Sequence, residues 1–351
     1  MKIVAVRSFL KKMALTKAYR ISGYTFTDVS LAFLEIELAN GVIGLGTGSP
    51  AEEVVGESAE MSAENLASEI LQTLVGQEIE DFQKLIANFR LHFAHLPGTQ
   101  AAIDIALHDA YGKYRGVSVV SLYGRKIDAL PTSVTIGIMS VAEALSEALA
   151  YEKLGFKILK VKTGVSVEED IERFQKIYEL VGNRMKIRVD PNQGYTLAEL
   201  QRFIAACPQA ELIEQPLPVG QEESLIALNS LKLMADESIT DPDAALRFAE
   251  KPRAFQIFNI KLMKAGGIQA ALEIAQIAQR SQIDLFWGCN DESVLSISAA
   301  LHAAYSMPNT RYLDLDGSFD LAEDLVIGGF RVRDGYMEIK ELPGFGVTRV
   351  G

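Results

Sequence analysis

Phe156-Lys-Ile-Leu-Lys-Val-Lys162 decides how this chain is read: an apolar run that should be core carries two lysines, Lys160 and Lys162, at its end. The same form recurs downstream. Lys186-Ile-Arg-Val-Asp190, Glu211-Leu-Ile-Glu214, Leu233-Met-Ala-Asp236 and Phe258-Asn-Ile-Lys-Leu262 are short apolar stretches that end on, or just after, a charged residue. Ionised groups in such runs are costly unless they are paired or bind a metal. Three acids with lysines on either side of them in sequence therefore read as a functional centre.

From about residue 130 the pattern alternates strand and helix. Strand candidates are 133–137, 158–162, 186–190, 212–214, 233–236, 256–261, 284–287 and 312–316, with amphipathic stretches such as 166–181, 197–206 and 268–281 between them. Eight strands with helices at about 25-residue spacing imply an α/β fold, a parallel (β/α)7β barrel of the TIM type. A doubly wound open sheet is the competing reading. It is weaker because polar residues recur at the C-terminal end of nearly every strand, as a barrel with one central site requires.

Residues 1–125 read as an α+β capping domain. Strand-like runs 3–9 and 30–38 lead to Ala39-Asn-Gly41, a hairpin signal, and to a return strand 42–45. Helical patterns follow near 62–74, 79–93 and 99–115. The barrel is expected over 126–320, and a tail, 321–351, is expected to return to the capping domain.

The chain has 351 residues, 48% hydrophobic and 23% charged, and a formal charge of -12. With no basic stretch to offset that charge, a nucleic-acid partner is not expected. Cys207 and Cys289 are too few for a disulfide framework and fit a reducing compartment. Met1-Lys-Ile-Val-Ala-Val-Arg7 reads as a first strand, not a signal peptide, and no run approaches the roughly 20 apolar residues of a membrane span. Cytoplasm is the expected location, with no membrane partner; a homo-oligomer is left open.

On consecutive barrel strands, Asp190, Glu214 and Asp236 would converge at one mouth. Repulsion among them would raise their pKa values unless a cation intervenes, and all-oxygen donors suit Mg²⁺ or Mn²⁺, not Zn²⁺. Lys160 and Lys162, two apart, project to the same face, where each would depress the other's pKa. Lys261 lies across the barrel and could serve the opposite face of one carbon. Lys264, before Ala-Gly-Gly267, reads as a loop residue near a helix start. At the eighth strand, Arg311-Tyr-Leu-Asp-Leu-Asp-Gly317 sets Asp314 and Asp316 on one face, an anionic site suited to an ammonium group. His92, His95, His108 and His302 lie in helical patterns, none at a strand end.

Lys160-Val-Lys162, Asp190-Pro-Asn, Glu214-Gln-Pro, Asp236-Glu-Ser and Asn259-Ile-Lys-Leu-Met-Lys-Ala-Gly-Gly267 together resemble the enolase superfamily, in its muconate-lactonizing-enzyme subgroup. The run Gln100-Ala-Ala-Ile-Asp-Ile-Ala-Leu-His-Asp-Ala-Tyr-Gly-Lys113 is similar to that family's capping segment. The resemblance implies that Asp190, Glu214 and Asp236 hold one Mg²⁺, with Mn²⁺ as a substitute. It implies that Lys162 and Lys261 are the acid/base pair and that Lys160 stabilises an enolate oxygen. Asp314-Leu-Asp316 resembles the signature of the dipeptide epimerases, the Ala-D/L-Glu epimerases among them, where it binds the substrate's free amino terminus. The implied activity is an isomerase reaction. The α-carbon of the C-terminal residue of a small dipeptide is inverted by two-lysine 1,1-proton transfer through an enolate. The alternatives are o-succinylbenzoate synthase, N-acylamino acid racemase or muconate cycloisomerase chemistry.

Two stretches depart from that pattern. Trp287-Gly-Cys-Asn-Asp-Glu-Ser293 carries Asn290 and Asp291 where the family commonly has an apolar residue or methionine, so an Ala-Glu substrate is not assumed and these two are candidate side-chain contacts. Gly44-Leu-Gly-Thr-Gly48 is read as a turn, since no helix and ribose-binding acid follow as a dinucleotide loop would need. The stretch 20–27 is expected to lid the site, with Lys17, Arg20 and Tyr24 as candidate contacts to the substrate side chain.

Overall fold

The computed structural model describes residues 1–21, 24–228 and 232–350, with the backbone alone for the described part of 17–26. A long antiparallel hairpin, β1 (Ile3–Ile21) and β2 (Tyr24–Leu38), is joined through β2 by β3 (Ile43–Gly48). The hairpin is longer than the sequence pattern predicts, and its register shifts between Ala14 and Tyr19. The candidate contacts Lys17, Arg20 and Tyr24 fall in this part, and their side chains lie outside the described residues.

The stretch 44–48 is neither a turn nor a phosphate loop: it lies in β3, against the helix Pro97–Arg115. A Cβ at Gly44 would collide with Ala106 and Ala110, and one at Gly46 with Ala102 and Ala106. Glycines at every second position face small helix residues, so sheet and helix approach more closely than side chains would allow.

After β4 (Leu130–Pro131), eight parallel strands follow in sequence order: β5 (Val134–Ile136), β6 (Ile158–Lys162), β7 (Lys186–Asp190), β8 (Ile213–Glu214), β9 (Leu233–Ala235), β10 (Ile257–Ile260), β11 (Asp284–Trp287) and β12 (Thr310–Leu313). A parallel bridge between Thr132 and Leu313 joins the two ends of this sheet, as a barrel requires. Helices such as Val141–Lys153 and Leu197–Ala206 start at capping boxes, Ser140 with Glu143 and Thr196 with Glu199. Each box satisfies two N-terminal amide donors.

Strand residues two apart share a face. Inward, Leu212, Met234, Ile257, Phe286 and Tyr312 form a buried apolar cluster, and Arg188 stacks on Phe286 and Tyr312 at 5.1 and 5.2 Å. This layer plugs the barrel. The next inward residue on each of those strands lies one layer nearer the C-terminal mouth: Asp190 above Arg188, Glu214 above Leu212, Asp236 above Met234, Asn259 above Ile257 and Asp314 above Tyr312. The alternation that makes a core also sets the charged layer on it.

In the tail, β13 (Val326–Gly328) pairs with β16 (Val347–Arg349), and β14 (Phe330–Arg333) with β15 (Tyr336–Ile339), which also pairs with β4. Leu321 bridges to Leu15, and the Phe345 amide donates to Asp109 of the helix Pro97–Arg115 at 3.1 Å.

Candidate active site

Lys160 and Lys162 come from β6, Asp190 from β7 and Glu214 from β8; Asp236 follows β9, Lys261 follows β10, and Asp314 and Asp316 follow β12. The acids, Lys160 and Lys162 are buried, and Lys261 is nearly so. The Lys160 ammonium is 3.1 Å from Asp190 Oδ2, 2.7 Å from Glu214 Oε2 and 2.9 Å from Asp314 Oδ2. Lys162 donates to Asp190 Oδ2 at 2.6 Å and to Asn192 Oδ1 at 2.8 Å. Lys261 donates to Asp236 Oδ2 at 2.9 Å. Lys162 and Lys261 thus stand on the second and sixth of eight strands, half a turn apart around the barrel.

Lys264 is a correction to the sequence reading. It is buried, not a loop residue, and donates to Asp236 Oδ1, to the Asp236 carbonyl and, at 3.3 Å, to the Asn259 carbonyl. The short turn Leu262–Ala265 folds it back under the acid. Asn259 was also missed: its Nδ2 donates to Glu214 Oε1 at 2.8 Å. Its signal was present, because Asn259 is two residues before Lys261 and so shares its inward face. Asn192 was not singled out either; its amide donates to Asp190 Oδ1 at 2.9 Å.

Burial alone would raise every acid here, and neighbours decide the outcome. Lys162 and then Lys160 overrule burial at Asp190 and hold it at about 2. Asp236 is likewise lowered, against its burial, by Lys261 and Lys264. Glu214 is pushed up to about 8 by burial and by Asp190, which Lys160 only partly offsets. At Lys160 and Lys261 the neighbouring acids outweigh the repulsion of other lysines, such as that of Lys160 on Lys261. Against the burial penalty, Asp314, Glu214 and Asp190 raise Lys160 well above the usual range, and Asp236 raises Lys261. Lys264 is lowered, by burial and by Lys261, against the pull of Asp236.

On the eighth strand the two acids part company. Despite burial Asp314 is lowered, by Lys160 and by the hydroxyl of Ser133, which donates at 2.6 Å. Asp316 accepts from the Thr135 amide at 2.8 Å and is pushed up to about 8 by burial, Asp314 and Asp320.

A cavity of about 530 Å³ opens over this layer, lined by the three lysines, Lys264 and both eighth-strand acids, and rimmed by Glu52, Glu53 and Glu60 of the N-terminal region. Asn290 and Asp291 line it too. Asn290 Nδ2 donates to the Ser49 carbonyl at 2.9 Å, tying the seventh loop to the end of β3. The Asp291 carboxyl, raised to about 6 by burial and by Asp320, lines the cavity.

Among the described residues no three acids close on one point as a bare ligand set; ammonium groups lie between them. The donor chemistry nevertheless fits a hard divalent cation. Asp190, Glu214 and Asp236 offer only carboxylate oxygens, and Lys160 already draws oxygens of two of them onto one positive centre.

The N-terminal domain model of mandelate racemase and muconate lactonizing enzyme matches residues 4–124, and the enolase C-terminal domain-like model matches residues 141–349. The chain belongs to this family, within the enolase superfamily. Its relatives include an L-Lys-D/L-Arg epimerase of Desulforapulum autotrophicum, 45% identical, with the whole of both chains covered. A dipeptide epimerase from Methylococcus capsulatus, solved with Mg and the dipeptide L-Arg-D-Lys, superposes with a TM-score of 0.96 at 43% identity over 99% of each chain. A dipeptide epimerase from Enterococcus faecalis, solved with Mg and L-Leu-L-Tyr, gives 0.94 at 33% identity, over 99% of this chain and 100% of that one. Among the described residues no helix is long and apolar enough to cross a membrane.

Proposed function

We propose that the protein is a Mg²⁺-dependent dipeptide epimerase acting on dipeptides with cationic side chains. The observation that carries this reading is the placement of Lys162 and Lys261 half a turn apart, on either side of one acid centre. Asp190, Glu214 and Asp236 would hold the metal, whose charge would polarise a bound carboxylate and stabilise the enolate formed beside it. Lys160, held charged, adds a fixed positive charge for the enolate oxygen. One of Lys162 and Lys261, in its neutral form, takes the α-proton from one face of the substrate carbon. The other, as the ammonium, returns a proton to the opposite face, and the stereocentre inverts. Asp190 and Asn192 aim Lys162, and Asp236 aims Lys261.

Asp314 and Asp316 would bind the substrate's free amino group, for which Asp316 is the acid left without a lysine. Asp291 and the rim acids Glu52, Glu53 and Glu60 make the rest of the cavity anionic, which supports lysine or arginine side chains in the substrate. The L-Lys-D/L-Arg epimerase relative and the L-Arg-D-Lys complex support the same choice. We also propose the division of the chain at about 125 and 320, and a cytoplasmic enzyme, in keeping with its two free cysteines.

The test is α-proton exchange in D₂O followed by NMR across Lys/Arg, Ala-Glu and apolar dipeptides, with N-acylated lysine and arginine as a separate arm. Fastest exchange in the cationic dipeptides is expected. Exchange confined to N-acylated amino acids would replace this reading with an N-acylamino acid racemase.

A further inference from the structure

Each acid of the trio has one oxygen tied down by the protein, away from the lysines at the centre. Asp190 Oδ1 accepts from the Asn192 amide at 2.9 Å, Glu214 Oε1 accepts from Asn259 Nδ2 at 2.8 Å, and Asp236 Oδ1 accepts from Lys264. The opposite oxygens, Asp190 Oδ2, Glu214 Oε2 and Asp236 Oδ2, are the ones that meet Lys160, Lys162 and Lys261. We infer that Asn259 and Lys264 are positioning residues that restrict Glu214 and Asp236 to one ligating oxygen each, and that this restriction favours Mg²⁺ over Ca²⁺. The inference rests on the metal centre proposed above.

The locks are firm because they are buried. Asn259 is wholly buried and Lys264 nearly so, which makes a broken hydrogen bond there costly. Asn259 cannot swing aside toward β11: a single carbon added to Gly288 would already fall 2.6 Å from its Oδ1. Its amide orientation suits Glu214 as a metal ligand, since a carbonyl turned toward the ionised acid would set two acceptors against each other. Lys264 is fixed by two backbone carbonyls besides the carboxylate.

The consequence is chemical. Mg²⁺ requires near-octahedral geometry with short bonds and suits single-oxygen carboxylates, whereas Ca²⁺ takes six to eight oxygens and readily uses both oxygens of one carboxylate. An acid whose second oxygen is held elsewhere cannot supply the extra donor that Ca²⁺ prefers. It also keeps coordination positions open for the substrate carboxylate. The two ions carry the same charge, so the count of charged ligands does not by itself set the preference.

The test is calorimetric titration of the metal-stripped protein with Mg²⁺ and with Ca²⁺, for the wild type and for Asn259→Leu and Lys264→Met. Asn259→Leu removes the donor at nearly constant volume, and Lys264→Leu, which also lacks a donor, stands in if Lys264→Met does not fold. Expected is a shift in the ratio of Ca²⁺ to Mg²⁺ affinity toward Ca²⁺ by about tenfold in Asn259→Leu and Lys264→Met, the size typical of groups that orient metal ligands. A general loosening of the fold would weaken both ions together and leave the ratio where it was, and an unmoved ratio in both variants overturns the inference. If the wild type binds no Mg²⁺, the metal centre itself fails, and the inference with it.

Discussion

The acid trio and the eighth-strand pair sit in one cavity and share one lysine, Lys160, yet they carry opposite balances of charge. At the trio, Lys160, Lys162, Lys261 and Lys264 together contact three carboxylates. At the pair, Asp314 takes Lys160, and Asp316 is left with the Thr135 amide and the repulsion of two neighbouring acids. Burial is alike at both ends. Asp190, with two lysines on one oxygen, falls to about 2, whereas Asp316, with none, rises to about 8, as does Glu214, for which Lys160 does not outweigh burial and Asp190. Asp190, Asp236 and Asp314 are arranged to hold charge, and Glu214 and Asp316 are the two acids, one at each end, that stay protonated until a cation arrives or the pH nears 8.

The largest effect should come at the trio. Chelating divalent cations is expected to abolish α-proton exchange, and added Mg²⁺ to restore it; exchange that survives exhaustive chelation would break the distinction between the two ends. Lys162→Ala and Lys261→Ala are each expected to lower the epimerisation rate by about 10²–10⁴-fold with an unchanged circular dichroism spectrum. Full turnover in either variant would remove that lysine from the proton path.

At the pair the effect should be smaller and confined to substrates with a free amine. Asp316→Asn is expected to lower kcat/KM for dipeptides by about ten- to a hundredfold, the loss of one buried charge-assisted contact. The wild-type value should rise as pH climbs toward about 8, as Asp316 ionises, and fall again where the α-amino group loses its proton near the same pH. Loss of the rising limb in Asp316→Asn would sharpen the comparison, and an identical profile would undo it. Asp291→Asn should shift preference away from cationic side chains by a few-fold, read as the ratio of kcat/KM for a Lys/Arg dipeptide to that for an apolar one.

The smallest effect concerns stability. The folded protein keeps the Asp316 proton up to about 8, whereas the unfolded chain loses it near 3.8, so between those values the folded state binds more protons. Stability of the substrate-free protein should therefore fall as pH rises through that window, and thermal melts of Asp316→Asn should show a shallower fall. A parallel pair of pH curves would mean that Asp316 is not held protonated.

Much of the site was legible in the sequence because barrel strands alternate. Once the strands are placed, every second residue points inward, and Lys160, Lys162, Asp190, Glu214, Asp236 and Lys261 are assigned to one mouth. The same rule reaches Asn259, which was there to be found. It does not reach Lys264, which lies past the strand end in a turn whose direction no periodicity reports. The glycines of β3 misled for a similar reason: glycine marks turns and close approaches alike, and only the helix Pro97–Arg115 against them tells which.

By itself the sequence determined the parallel barrel, the order of its charged residues and the face on which they lie, because side-chain alternation and strand spacing are local properties of the chain. Only the tertiary structure decided which lysine meets which acid, that Lys264 is drawn under Asp236, and that Asp314 is lowered while Asp316 is pushed up. Those outcomes depend on distances across the barrel, between residues up to 181 positions apart in the chain, and electrostatic energy follows distance in space.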